Sequence, residues 1–185
     1  ISEELRTQTE APGSWFLLGV VMAGTGVVMI ANHYFEIPFH YGALAVALTF
    51  LLSLVACRAT GESDITPVGA MGKIMQLTFG VLIPQSTTAN LMTASITASS
   101  AGSSADLLND LKSGYLLGAN PRRQFVAQFM GIFAGTLATV IGFRLLVPSA
   151  ESLGTTEFPA PAAVAWKAIA NVFKTGFENM HPTHV

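Results

Sequence analysis

The sequence YGALAVALTFLLSLVAC, from Tyr41 to Cys57, carries no charge and is followed at once by RATGESDITPVGAMGKIMQ, from Arg58 to Gln76. A helix rises about 1.5 Å per residue, so the first stretch is just long enough to cross a hydrocarbon core about 30 Å thick. It predicts a transmembrane span over residues 41–57. The polar residues that follow, before apolar residues return, indicate that something hydrophilic is handled close to lipid, or else that a plain loop joins two helices.

The composition also favours a membrane protein. Only 11% of the 185 residues are charged and 51% are apolar, whereas soluble domains carry about 25% charged residues. Two further charge-poor runs predict spans over residues 15–31 and 124–144. We therefore expect an all-α integral membrane protein whose first partner is the lipid bilayer. The net charge of −2 gives no sign of a nucleic-acid partner.

The region between the second and third spans has an unusual composition. Pro84 interrupts an apolar segment, and ten of the nineteen residues from Ser86 to Ser104 are Ser or Thr. This block is too polar to face lipid and too poor in charge for a solvated linker. It predicts two broken or re-entrant helical segments, over residues 68–84 and 85–104. Such backbone is tolerated at membrane depth only when it is buried in protein or lines a wet cavity.

Two shorter helices are predicted outside the spans. Apolar residues in DLLNDLKSGYLLG recur at helical spacing, which predicts a cytoplasmic amphipathic helix over residues 106–118 with Asp106 at its start. EFPAPAAVAWKAIANVFK predicts an interfacial amphipathic helix over residues 160–173. The distribution of Lys and Arg places the N-terminus and the two ends of the 58–124 region in the cytoplasm of a multi-pass protein of the cell membrane. Arg144 and Lys167 fall on the opposite side.

Glu62 and Asp64 are the candidate proton-coupling groups. A carboxylate that is partly removed from water holds its proton more readily, which suits a group that carries protons at the edge of a bilayer. The alternative is an ordinary turn in which Ser63 or Asp64 caps the helix that begins near Pro67.

Other polar residues are candidates for a substrate pathway. Lys73 and Gln76 lie three residues apart within an apolar segment, and intramembrane ionisable groups are functional candidates by default; Lys73 could equally extend towards the interface. The Ser/Thr block, with Asn90, Thr93 and Ser95, offers neutral donors and acceptors that suit peptide-like groups. Its alternative role is helix packing through small residues.

The remaining charged residues have a plainer explanation. Asp106, Lys112 and Arg122 favour a salt-bridged cytoplasmic helix, with direct substrate contact as the alternative. We expect no metal site and no cofactor, since no spacing of His, Cys, Asp and Glu matches a zinc pattern. No phosphate-binding loop and no hydrolase motif occurs in the sequence, so we do not expect an enzyme.

Three ordered blocks carry a resemblance to a known family. ATGESDITPVGAMGKIMQLTFG, NLMTASITASSAGSSADLLNDLKSGYLLGANPRRQFVAQFMG and FPAPAAVAWKAIANV resemble the oligopeptide transporter superfamily, especially its prokaryotic members, and the second block resembles the yellow stripe-like metal-chelate transporters. The resemblance implies a proton-coupled secondary transporter of small peptides or metal chelates, of which this sequence is part of the C-terminal half. The shared blocks contain the candidate residues Glu62, Asp64, Lys73, Gln76, Asn90, Asp106, Lys112, Tyr115 and Arg122.

A second function from another class stays open at the level of sequence. The chain is short, which favours a non-transporting subunit or scaffold that packs against a partner membrane complex. The length of the encoded reading frame distinguishes the two: a much longer frame with further spans supports the transporter, in which the rest of the chain is the partner.

Overall fold

The computed structural model describes residues 10–176, all of them in helices, turns and loops, apart from a single bridge between Leu153 and Phe158. Residues 1–9, which include the N-terminus predicted to be cytoplasmic, and residues 177–185 lie outside the described range. The fold is all-α. Six α-helices and one short 3-10 helix occur between residues 10 and 176: α1 Gly13–Phe35, α2 Phe39–Ser63, α3 Val68–Leu82, α4 Thr87–Leu116, α5 Pro121–Leu146, the 3-10 turn Ala150–Ser152, and α6 Pro161–Thr175.

Helices α1, α2 and α5 are long and apolar enough to cross a membrane, and each contains one of the predicted spans. Helix α3, at 15 residues, extends about 22 Å and is too short to cross alone. The orientation of the helices in the bilayer, and the interfacial position of α6, stay predictions.

The predicted boundary between the segment 85–104 and the helix 106–118 is wrong. Helix α4 runs without interruption from Thr87 to Leu116, so Asp106 lies inside the helix instead of capping its start. The helix continues through Gly102 and the surrounding serines because its small residues pack. Along one face the buried residues recur every fourth position, at Ala89, Thr93, Thr97, Ala101 and Ala105, and tertiary packing of this kind overrides weak helix propensity.

The chain divides into two compact units. Among the described residues, one comprises Phe16–Leu108 and residues 165–176, and the other comprises Asn109–Val164 and residues 10–15. The first unit has its core where α2, α3 and α4 meet, around Ala45, Met75, Phe79 and Ala94. In the second unit, the left-handed Gly118 (φ +76°) ends α4, and the Asn120 side chain accepts a hydrogen bond from the Arg123 N–H, which starts α5.

Helices α2 and α4 are joined by hydroxyl groups across a small-residue interface. The Oγ1 atoms of Thr49 and Thr97 lie 2.7 Å apart, and the Oγ atoms of Ser53 and Ser100 lie 3.2 Å apart. The buried positions of α2 are Gly42, Ala45, Thr49, Ser53, Ala56 and Thr60, which share one helical face. Thr97 and Ser100 of the Ser/Thr block thus pack helices together, the alternative role for this block.

This contact gives a stability prediction. Replacing Thr49 with valine should destabilise the full-length protein by about 1 kcal/mol, because the buried Thr97 hydroxyl loses its interhelical partner. Replacing Thr49 and Thr97 together should cost less than the sum of the single changes. SDS titration of the wild type, the two single variants and the double variant measures this coupling. Strictly additive losses of stability would contradict it.

Candidate functional site

The helical path breaks between α3 and α4, at the position predicted from Pro84. The Ile83 N–H makes the last helical bond of α3, to the Phe79 carbonyl at 2.8 Å, and Pro84 has no N–H with which to continue the ladder. Ser86 then starts α4, because its Oγ accepts a hydrogen bond from the Ala89 N–H at 3.1 Å. The sequence PQST therefore stops one helix and caps the next within four residues.

Two buried amide side chains lie on the helices that flank this break: Gln76 is about two turns before it on α3, and Asn90 is in the first turn of α4. Gln76 is fully buried and Asn90 is 2% exposed. The Gln76 Nε2 donates to the Trp166 carbonyl at 2.6 Å, and the Asn90 Nδ2 donates to the Gln76 carbonyl at 2.7 Å. Between residues 10 and 176, neither the Gln76 Oε1 nor the Asn90 Oδ1 receives a hydrogen bond. A buried acceptor without a donor costs about 1–3 kcal/mol, so each of these two oxygens can accept a hydrogen bond from a water molecule or a ligand.

Helix α6 covers this pair. The Trp166 ring lies against Gly72 of α3, and the Phe173 ring lies against Gly80. Gly72, Gln76 and Gly80 are spaced four residues apart, so they form one groove on α3. Side chains of α6 fill the two glycine positions of this groove, and its backbone binds the glutamine between them.

The other predicted pathway residues of α3 and α4 differ in their surroundings. Thr93 is buried but donates to carbonyls of its own helix, at Ala89 (2.8 Å) and Asn90 (3.2 Å). Ser95 is exposed. Lys73, predicted to share a face with Gln76, is exposed as well. Two residues three positions apart are about 60° apart around a helix, and this angle places Lys73 outside the buried groove.

The candidate proton-coupling groups lie at the end of α2. Glu62 forms an ion pair with Arg58, one turn earlier, at 2.6 Å, and both side chains are exposed. Asp64 follows the helix in the left-handed conformation, with φ +59°, and its side chain is also exposed. The described residues therefore do not bury either carboxylate.

The remaining candidate residues lie in the second half of α4 and at the start of α5. Asp106 is exposed near the middle of α4. The Lys112 Nζ lies 5.5 Å from the centre of the Tyr115 ring, a cation–π contact on the last turns of α4. The Arg122 Nε donates to the Glu10 carbonyl at 3.0 Å. Lys112, Tyr115 and Arg122 belong to the unit that contains α5, whereas Gln76 and Asn90 belong to the other.

Sequence reasoning named Gln76 and Asn90 as candidates but did not name Trp166. The contact between Gln76 and Trp166 joins residues 90 positions apart, and no local pattern announces such a pairing. One signal was available: Trp166, Ala170 and Phe173 recur at helical spacing and so predict one face of α6. No cluster of three or more His, Cys, Asp or Glu side chains that could hold a metal ion occurs in the described part of the chain.

Comparison with known proteins gives a consistent result. A family model described as OPT oligopeptide transporter protein matches residues 2–183. A putative oligopeptide transporter of Saccharomyces cerevisiae is 37% identical over 134 residues, which cover 70% of this chain and 18% of that protein. Probable metal-nicotianamine transporters of Oryza sativa subsp. japonica and Arabidopsis thaliana are 25% and 26% identical over 87% and 90% of this chain, and 23% and 24% of theirs.

The chain therefore spans about a fifth to a quarter of the length of the curated relatives it matches. No solved structure matches it significantly.

Proposed function

This chain belongs to the oligopeptide transporter family, and from that membership we propose that it forms part of a secondary transporter for small peptides or metal chelates. The curated relatives are named as transporters of one or the other cargo. In the proposed scheme, uptake is driven by a proton gradient, and the rest of the transporter completes the pathway around the helices described here.

The observation that carries the proposal is the broken helix at Pro84, with a buried amide on each of the two helices that flank it. Transporters use interrupted helices at the substrate site because the break frees polar backbone groups inside the membrane. Gln76 and Asn90 are neutral, buried and incompletely hydrogen-bonded, which suits the recognition of peptide-like groups. A purely structural helix pair would be expected to satisfy these atoms internally.

The test is uptake by the full-length protein in proteoliposomes. A radiolabelled dipeptide and nickel–nicotianamine are offered separately, with an acidic exterior and then with a protonophore present. We expect one cargo to accumulate in the acidic condition and accumulation to collapse with the protonophore. Correctly inserted protein that accumulates neither cargo would contradict the transport proposal, and accumulation insensitive to the protonophore would contradict proton coupling alone.

The roles proposed for Glu62 and Asp64 can be separated by isosteric changes. Glu62→Gln removes the titratable group, so we expect it to abolish cargo-driven proton flux, measured with a pH-sensitive dye inside the vesicles. Asp64→Asn is the parallel change, and asparagine tolerates the left-handed backbone found there. Glu151→Gln, at an exposed glutamate of the 3-10 turn, serves as the control. Unchanged proton flux in Glu62→Gln would remove Glu62 from the scheme.

A further inference from the structure

We infer that the Gln76 Oε1 and the Asn90 Oδ1 form a binding site for a small monovalent cation or a primary ammonium group. This inference rests on the proposed function and identifies what the two helices that flank the break would bind. Both side chains are more than nine-tenths buried, and both oxygens lack a donor among residues 10–176.

The hydrogen bonds of the two amides fix which atom is left over. Each amide nitrogen faces a carbonyl oxygen, at 2.6 Å for Gln76 and 2.7 Å for Asn90. Exchanging nitrogen and oxygen in either amide would bring two acceptors together at hydrogen-bond distance, which is repulsive. The unpartnered atoms are therefore acceptors, and their ligand must donate hydrogen bonds or carry positive charge.

The chemistry of the site narrows the ligand further. Amide oxygens are hard, neutral ligands, and neither residue supplies the carboxylate that calcium and magnesium sites normally contain. An anion would meet two acceptors and gain nothing. Carbonyl groups at interrupted transporter helices coordinate monovalent cations in the same manner. Two sources have this chemistry: an inorganic ion such as sodium, and the ammonium end of a peptide cargo.

The cover over the site has a consequence for binding. The Trp166 carbonyl accepts a hydrogen bond from Gln76, and the Trp166 ring packs on Gly72, so α6 covers the glutamine side chain. A ligand at these oxygens is occluded, and its exchange requires α6 to move away from α3. The bound cation should therefore stabilise the packed state, because it supplies the donors that this state lacks.

The experiment is a thermal-shift measurement on the purified full-length protein in detergent. Sodium chloride is compared with choline chloride at equal ionic strength, and glycylglycine with N-acetylglycylglycine. We expect sodium, or the dipeptide with the free amine, to raise the midpoint saturably by about 3 °C at a large excess over Kd. A shift with sodium identifies an inorganic ion, and a shift confined to the free amine identifies the cargo ammonium group.

Substitutions at the two amides then test the site itself. Asn90→Leu removes one acceptor at similar volume and should abolish the shift, whereas Ser99→Ala, at an exposed serine of the same helix, should retain it. Gln76→Met removes the other acceptor at similar volume and should abolish the shift as well. If both amides were merely structural, both variants would be unstable, and an added cation would shift neither their midpoints nor that of the wild type.

The proposal is overturned if neither probe shifts the wild-type midpoint relative to its control, since water then serves the two oxygens. It is also overturned if folded Asn90→Leu retains the shift. Should Asn90→Leu fail to fold, Gln76→Met decides: a retained shift refutes the site. Uptake that persists without any shift would refute the site and leave the transport function standing, while a shift without uptake would do the reverse.

Discussion

Replacing Gly80 with leucine is expected to detach α6 from α3 and to lower the thermal midpoint of the full-length protein by several degrees. A Cβ atom built at Gly80 would lie 2.6 Å from the Phe173 ring, closer than packed carbon atoms approach one another. Leucine adds three further carbons in the same direction. Overpacking of this kind costs about 1–3 kcal/mol, and here it acts on a ring held against backbone.

Gly69 provides the matched control on the same helix. A Cβ at Gly69 meets nothing within 4 Å, so Gly69→Leu should be neutral or slightly stabilising, given the low helix propensity of glycine. The clash at Gly80 should also be relieved by a second change. Adding Phe173→Ala to Gly80→Leu should recover part of the lost stability, because the shortened side chain leaves room for leucine. Equal midpoints for Gly69→Leu and Gly80→Leu would contradict the packing described here.

The long helices could be predicted from the sequence because lipid imposes a simple rule. A membrane-spanning segment must satisfy its backbone internally and present apolar side chains, and three runs of sufficient length do so. The break at Pro84 was equally accessible, since a proline without an N–H stops a helix through local chemistry alone. The exact helix ends lie a few residues outside the predicted spans.

The continuity of α4 could not be predicted in the same way. Ser, Thr and Gly disfavour helix in isolation, and Asp106 has the character of a cap, so the local signals favoured two segments. The structure has one helix because Thr97 and Ser100 face Thr49 and Ser53 of α2. The matching stripe of small residues in α2 is visible in the sequence once its spacing is considered, but the high apolar content of Tyr41–Cys57 conceals it.

The candidate site was only partly accessible to sequence reasoning. Gln76 stands out in the sequence because it is a polar residue inside an apolar segment. The atoms around its side chain, however, come from α4 and α6, and its partner on α6, Trp166, is 90 residues later in the sequence. Glu62 and Asp64 show the opposite case. Their acidic character was evident, yet the described chain leaves both exposed and pairs Glu62 with Arg58. A proton-coupling role for them depends on burial by the rest of the transporter.

The core around the break yields the second large effect, from Phe79→Ala. Phe79 is fully buried on α3, where it packs with Met75, Ala45 and Ala94, and its ring centre lies 6.4 Å from that of Tyr41. Removing the ring leaves a cavity beside the last turn before the break, at a cost of about 3 kcal/mol. This cost is at the lower end of the range for replacing a buried phenylalanine with alanine. In a membrane the side chain leaves lipid instead of water when it packs, so the hydrophobic contribution is small and the cost comes mainly from lost packing contacts.

Leu77→Ala is the appropriate control for Phe79→Ala. Leu77 lies two residues away on the same helix and is 55% exposed, so its truncation forms no cavity and should shift the midpoint little. The same heating experiment, followed by size-exclusion chromatography of the surviving folded fraction, ranks the two variants. Because the Phe79 carbonyl also makes the last helical bond of α3, a loosened core should free the α3 terminus as well. We therefore expect faster protease cleavage near Pro84 in Phe79→Ala and an unchanged cleavage rate in Leu77→Ala. Similar cleavage rates in the two variants would contradict the expectation that the core around Phe79 holds the end of α3 in place.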